Sequence, residues 1–536
     1  MSSFMRMPLR AHCGRKLSIL LLGGLCLALT ACGAGVKHAA GGKRAARELA
    51  PAEANQANSE TYTHTVDNPF RSVADAPLST FSADVNTASY SNVRRFLIEQ
   101  NQLPVKDAVF LAELVNYFPF SYARPRGADP IAFNLELGQC PWNRAHHLLR
   151  IGVQARELDA EQMPPRNLVF LIDTSGSMQA SNRLPLVQKS LTLLVERLSE
   201  KDTVSIVTYA GVSRVALNPT RGADKRRIQR AIDSLSADGS TNGEGGIRVA
   251  YDLAAQTFID GGVNRVILCT DGDFNVGVTN PGDLIRLIEQ KRRSRVFLTV
   301  LGFGMGNYKD ATLKEIANHG NGHHAYIDSI EEARKVFVEQ GGALACVAKD
   351  VKFQVEFNPK KVIAYRLLGY ENRLLKDEDF KDDAKDAADL GSGHQVTVLY
   401  EIVPIGVAID LPGVDPLKYQ QAKEPAAGGS DEWLTVKMRY KHPEEEKSLE
   451  LVKPLMGNVK ARELSDDFRF AAAVASFGML LRESPYKGSS NYDDVIRDSS
   501  AALGSDPQGH RKQFVELVRK ARQLAGAQPR LERDQN

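Results

Sequence analysis

Between residues 165 and 340, four apolar runs alternate with four stretches of helical periodicity, and this alternation restricts the fold more than any other feature of the chain. The runs occupy 167–172, 203–209, 265–270 and 295–301, and the helix-like stretches about 183–199, 244–258, 281–293 and 309–318. Strands that alternate with helices predict an α/β fold, a doubly wound and mostly parallel sheet with helices on both faces. The runs are apolar almost without interruption, as expected of strands buried on both faces. Ser213 to Asn218 follows the second run too soon for a helical crossover, so it reads as a hairpin partner at an edge. Gly302, Gly304 and Gly306 are spaced G-x-G-x-G without a suitably placed acidic residue on a following strand, which makes a turn the better reading than a dinucleotide loop.

Asp173-Thr-Ser-Gly-Ser177 directly follows the first run and puts one carboxylate and two hydroxyls at the end of a strand. Such oxygens suit Mg²⁺ or Mn²⁺ rather than Zn²⁺. Thr241 lies in the Gly-rich loop 238–243, and Asp271 ends the third run. Ligands of open parallel sheets bind outside the carboxyl ends of the strands, where both aspartates fall.

The five residues Asp173, Ser175, Ser177, Thr241 and Asp271 resemble the metal-ion-dependent adhesion site of von Willebrand factor type A domains: Asp-x-Ser-x-Ser, a separate Thr and a separate Asp. The resemblance implies that Ser175 and Ser177 bind the ion directly, Thr241 directly or through water, and Asp173 and Asp271 largely through water. It also implies that an acidic side chain of a protein partner completes the shell.

At the other end of the chain, Arg6, Arg10, Arg15 and Lys16 precede an apolar stretch, Leu17 to Leu29, too short to span a bilayer comfortably. This is the pattern of a secretory signal. Leu29-Thr-Ala-Cys32 resembles a bacterial lipobox, which implies that Cys32 is acylated and becomes the new N-terminus. Each buried CH₂ contributes about 0.8 kcal/mol, so two or three acyl chains hold a protein firmly at a membrane. Gly33 stands where an aspartate would imply inner-membrane retention, which favours the outer membrane. Residues 33–80 are rich in small and charged residues and poor in aliphatic ones, the composition of a disordered tether.

The precursor's formal charge of +3 comes from 68 basic and 65 acidic residues. The export segment carries four of the basic residues and no acidic one, so a chain without it is close to neutral. Nothing in this balance points to nucleic acid.

Six segments follow from these readings: a signal with lipobox (1–31), a tether (32–80), an α+β region (81–160), the type A domain (165–343), a β-rich region (344–460) and a helical C-terminal region (461–536). In the first flank, Thr87 is placed to cap a helix, a second helix covers about 107–117, and strands are expected at 131–137 and 148–154. Strand-like runs resume at 351–357, 362–368, 395–402 and 432–440, with the period-two alternation of antiparallel strands that have one face in water. The two flanks are expected to combine into one β-rich domain with the type A domain inserted. Ser465-Asp-Asp467 has the composition of a helix start, leading into an apolar core helix that ends at Leu481. A final helix follows Asp506-Pro507, with Phe514, Leu517, Val518, Ala521 and Leu524 on one face.

Lipobox, tether, Asn68-Pro-Phe70, Ser79-Thr-Phe-Ser82, Cys140-Pro-Trp142, type A domain and helical tail together resemble a family of bacterial type A domain lipoproteins whose flanks carry no assigned chemistry. Catalytic signatures are missing: neither serine lies in G-x-S-x-G, and there is no Walker-type P-loop. A binding protein is therefore expected, not an enzyme, with a metal-independent envelope scaffold as the alternative and an accessory subunit or hydrolase as the weaker one. His319, His323 and His324 cluster near a Gly-rich turn without the partners of a zinc motif and read as solvated. Beside Cys32, the exported chain keeps Cys140, Cys269 and Cys346. Cys269 reads as a small buried core residue; Cys140 and Cys346 flank the inserted domain, and the sequence leaves their pairing open because it does not supply the Cα separation a disulfide requires.

Overall fold

The computed structural model describes residues 60–82, 86–237, 239, 243–272, 281–306, 308–411, 431–457 and 463–527. The export segment, Cys32, the first part of the tether and Thr241 lie outside the described residues.

The chain before the type A domain supplies β1 (Arg71–Ser72), β2 (Leu78–Ser82), α1 (Ala88–Ile98), α2 (Leu111–Asn116), β3 (Ile131–Gln139) and β4 (His147–Ala155). The expectation of a tether running to residue 80 needs correction. From Glu60 onward the chain is packed: Thr61 N donates to Tyr308 O at 3.1 Å, and Val73 and Phe81 are buried in the β core. Thr87 precedes α1 but makes no side-chain cap hydrogen bond.

The type A domain follows with β5 (Arg166–Asp173), α3 (Leu184–Glu196), β6 (Thr203–Ala210), β7 (Val212–Arg221), α4 (Lys225–Asp233), α5 (Gly243–Gln256), β8 (Val263–Thr270), α6 (Pro281–Arg292), β9 (Phe297–Phe303), α7 (Asp310–His319), β10 (His324–Ile327) and α8 (Ile330–Arg334). Its six strands run in the order β10-β9-β8-β5-β6-β7, all parallel except the β6/β7 hairpin. The period of two along β5 divides its side chains between two cores. Leu168, Phe170 and Ile172 join one with α3 and α4, while Val169 and Leu171 join the other with α5 and α6. Helices on both faces are why the strand sequences are apolar throughout.

Beyond it lie β11 (Cys346–Phe357), β12 (Val362–Leu368), β13 (Ala388–Gly391), β14 (Gln395–Pro404), β15 (Glu432–Lys441), β16 (Leu449–Met456), α9 (Asp466–Leu481), α10 (Tyr492–Ala501) and α11 (His510–Ala527). Strands from before and after the type A domain interleave. One sheet runs β1-β12-β14-β4-β3; the other runs β13-β11-β15-β16, with β2 also paired to β11. A shared core of Ile151, Val153, Phe353, Val355, Tyr400 and Val436 lies between them.

The expectation of one wet face fails for the first sheet. β14 is buried nearly end to end because its outer face, with Leu148 and Leu368 of its neighbours and its own Leu399, lies under α2 and α9. The helices meet closely at Gly478, where a Cβ would come 2.5 Å from Leu111 Cδ2. Ser465 caps α9 as its sequence predicts, its hydroxyl accepting from Phe468 N at 3.1 Å. No helix among the described residues is long and apolar enough to cross a membrane.

Candidate metal centre

β5 and β8 are neighbours in parallel register, Ile172 beside Cys269, so Asp173 and Asp271 emerge together at the carboxyl edge of the sheet. Both are fully buried. The turn after β5 folds back on its own carboxylate: Ser175 N donates to Asp173 Oδ1 at 2.9 Å. This Asx turn sets the Ser175 and Ser177 hydroxyl oxygens 3.0 Å apart. From β8, Thr270 Oγ1 donates to Asp173 Oδ2 at 3.3 Å while accepting from Gly272 N at 3.1 Å. Four of the five expected residues therefore converge, and the fifth, Thr241, lies outside the described residues.

Burial pushes the Asp173 carboxyl up to about 6 against the pull of its Ser175 hydrogen bonds, and the Asp271 charge adds to the rise. Two fully buried acidic side chains and two hydroxyls at one strand edge are the oxygen-only donor set of a hard divalent ion. The residues present fit such an ion chemically. Asp173, Ser175, Ser177 and Asp271 are the described residues that would hold it.

Arg183, which the sequence reading missed, brings a positive charge to this site. Its Nη1 lies 2.9 Å from Asp271 Oδ2 and donates to Ser177 O at 2.6 Å, and its Nη2 donates to Met305 O at 2.7 Å. Gly304, read only as part of a turn, makes room for it. With φ at +75°, a Cβ there would come 2.4 Å from Arg183 Nε. The one signal was a basic residue six positions beyond the Asp-x-Ser-x-Ser motif, and nothing local assigns it a partner.

The three histidines do not form a site. His319 pairs with Glu289 at 2.8 Å, His324 Nε2 lies 2.8 Å from the Tyr308 hydroxyl, and His323 packs edge-on against His394. No group of three His, Cys, Asp or Glu residues able to hold a metal occurs among the described residues. Cys140 and Cys346, whose pairing the sequence left open, are both free: Cys140 sits in the helical core with Trp142, and Cys346 begins β11 opposite Gly391. Cys269 is buried in the type A core as expected. A cavity of about 1230 Å³ opens near the other ends of β5 and β6, beside Arg166 and Asp202, and none of the metal-site residues lines it.

Residues 167–340 match the family described as von Willebrand factor type A domain, residues 56–150 the one described as von Willebrand factor, and residues 342–524 the one described as uncharacterized protein YfbK, C-terminal. The chain is 44% identical over 484 residues to uncharacterized protein YfbK of Escherichia coli (strain K12), covering 89% of this chain and 83% of that protein. Over 189 residues it is 28% identical to uncharacterized protein sll0103 of Synechocystis, covering 35% of this chain and 44% of that one. Among solved structures, von Willebrand factor type A from Catenulispora acidiphila aligns with 75% of this chain and 91% of its own at 14% identity and a TM-score of 0.41. The type A fold at the centre of the chain, the match of its C-terminal third and the identity along nearly its whole length lead to one conclusion: the chain belongs to the YfbK family of von Willebrand factor type A domain proteins.

Proposed function

We propose that this chain is an exported, lipid-anchored binding protein whose type A domain captures a protein partner through Mg²⁺ or Mn²⁺. Asp173, Ser175, Ser177, Thr241 and Asp271 form the ion's surroundings, and Cys32 carries the lipid. The supporting observation is the convergence of Asp173, the two hydroxyls and Asp271 at one edge of the sheet. A bound ion would supply a coordination position for an acidic side chain of the partner. The protein's own groups orient that position: the Ser175 amide and the Thr270 hydroxyl fix the Asp173 carboxylate, and Arg183 fixes Asp271. We read the chain as a binding protein and not an enzyme, held at the outer membrane, with no role in nucleic-acid binding.

One observation favours a second reading, a metal-independent envelope scaffold: the Arg183 ion pair already balances Asp271 without an ion. The two separate in a crosslinking pull-down from membranes. Under the metal reading, Asp271→Ala abolishes Mg²⁺-dependent capture while the folded protein keeps its circular dichroism, because the carboxylate lies at a strand end. Capture undiminished in that variant, or in excess chelator, would contradict it and support the scaffold.

A further inference from the structure

β7 is the outermost strand of the type A sheet, at the edge opposite β10, against which α1 of the host packs. α4 lies against β7 and α3 and turns Ile228 and Ile232 inward, to the core they share with Leu217. The surface left outside is basic. Residues 212–233 carry Arg214, Arg221, Lys225, Arg226, Arg227 and Arg230, all exposed, against two acidic residues, Asp224 and Asp233.

Arginines elsewhere in the fold are tied down: Arg94, Arg95, Arg150, Arg366 and Arg482 each pair with a carboxylate. None of these six cations has an ion pair among the described residues; Arg230 Nε donates to Arg226 O at 3.3 Å and Lys225 Nζ to Glu196 O at 2.8 Å. Arg226, Arg227 and Arg230 stand three and four positions apart on the exposed face of α4, where like charges oppose the helix. The folded chain supplies no counter-charge there, so the surface suits an anion from outside. Val212 and Val215 of β7, 63% and 41% exposed, add aliphatic surface beside it. Cations interspersed with exposed aliphatic side chains suit the headgroup boundary of a bilayer better than a purely acidic protein face. We propose that the edge formed by β7 and α4 is a membrane contact that lays the type A domain on anionic phospholipid headgroups. The choice of a bilayer rests on the lipid-anchor reading above: 28 residues separate Cys32 from Glu60, so at about 3.5 Å per residue Glu60 stays within about 100 Å of the lipid.

Residues 33–536 contain every described residue and lack the apolar export segment, so their co-sedimentation with vesicles reports on the folded surface. They are expected to bind vesicles of phosphatidylglycerol and phosphatidylethanolamine, to ignore vesicles of phosphatidylcholine, and to be released as salt is raised. The variant Arg226→Gln/Arg227→Gln/Arg230→Gln is expected to bind the anionic vesicles about tenfold more weakly or worse, since each basic residue near an anionic surface is worth about fivefold. Arg226→Lys/Arg227→Lys/Arg230→Lys keeps the charge and is expected to stay within about threefold of the parent. So is Arg519→Gln/Lys520→Gln/Arg522→Gln on α11, which removes the same charge from a different element. No binding by the parent, or equal losses in the α4 and α11 variants, would overturn the proposal. A Lys variant that loses binding would do the same, and this arm and the parent's own preference decide the matter if the Gln variant does not fold. Binding of poly-glutamate without binding of vesicles would assign the surface to an acidic protein and also overturn it. Lipid on Cys32 is read separately by mass spectrometry of the chain isolated from membranes, so a failure of the anchor reading does not register as a failure of this surface.

Discussion

A methyl group at Gly322 would lie 1.6 Å from the Leu298 carbonyl oxygen and 2.4 Å from its carbon, both backbone atoms of β9. A flexible side chain could turn aside from such an intrusion, but a strand in the middle of a sheet cannot. Around this glycine, Leu298 N donates to Gly320 O and Val300 N to His323 O, so the segment approaches β9 closely enough to seat β10 beside it. Gly322→Ala is expected to cost about 3 kcal/mol, at the upper end of overpacking effects, because strands must separate to admit it. Urea denaturation followed by circular dichroism checks this, and a midpoint equal to wild type would refute the close-approach argument. Residue-scale geometry also explains why Asp173 is so well placed: its own turn supplies the Ser175 amide, and the neighbouring strand supplies the Thr270 hydroxyl.

Where the elements of the type A domain meet the second sheet system, His323 just before β10 packs against His394 just before β14, with ring centroids 5.3 Å apart. Gly391 N donates to His394 Nδ1 at 3.1 Å, so that nitrogen serves as an acceptor and the bond is lost on its protonation. Loss of solvation pushes both imidazoles down to about 3, and the Arg265 charge adds to the effect. The folded-state values lie below the unfolded ones. The unfolded chain therefore binds more protons as pH falls from 6.5 to 3, and stability present above 6.5 is lost through that window. Each histidine contributes at most about 1.4 kcal/mol per pH unit. Urea midpoints between pH 7 and 4 are expected to fall less steeply for the double variant His323→Gln/His394→Gln than for wild type. Parallel slopes would exclude the pair as the acid-sensitive contact. The comparison between variants matters because Asp389, which burial raises to about 7, works in the opposite direction.

In the whole molecule, the type A domain is an insertion inside a structure whose strands come from both of its flanks. β2 pairs with β11 along Leu78 to Ser82, and β4 pairs with β14 along His147 to Gln154, across more than 230 residues of chain. Insert and host are held together by α1 and by the end of α2: Arg94 of α1 forks onto Asp328 at 2.5 and 2.7 Å and reaches Glu332 at 2.8 Å, while Lys335 Nζ donates to the O of Tyr117, just after α2, at 2.5 Å. Fragments should behave accordingly. Residues 165–343 carry a complete six-stranded sheet with cores on both faces and are expected to fold alone. Residues 344–460 lack β2 and β4, leaving long pairing edges and the Phe81 pocket open, and are expected to be insoluble. A soluble 344–460 fragment with dispersed amide resonances would show that the interleaving is dispensable.

The strands β5, β6, β8 and β9, the β7 hairpin and the buried helix α9 were legible in the sequence because each is a local pattern of adequate length. That Asp173, Ser175, Ser177 and Asp271 gather at one edge of the sheet was legible for the same reason, as short motifs at strand ends. Shorter or more polar elements escaped: β10 has four residues, and α4 buries only Ile228 and Ile232 of its nine. What only the tertiary structure decided is non-local. Whether β14 is wet on one face depends on α2 and α9 lying over it, and whether residues 60–82 are tether or strand depends on β11, some 270 residues away. The Arg183–Asp271 ion pair is of the same kind, since it needs the Gly304 turn of a third strand to make room. Periodicity and strand-end chemistry are written in neighbouring residues, whereas pairing and charge balance depend on distances that only folding brings into range.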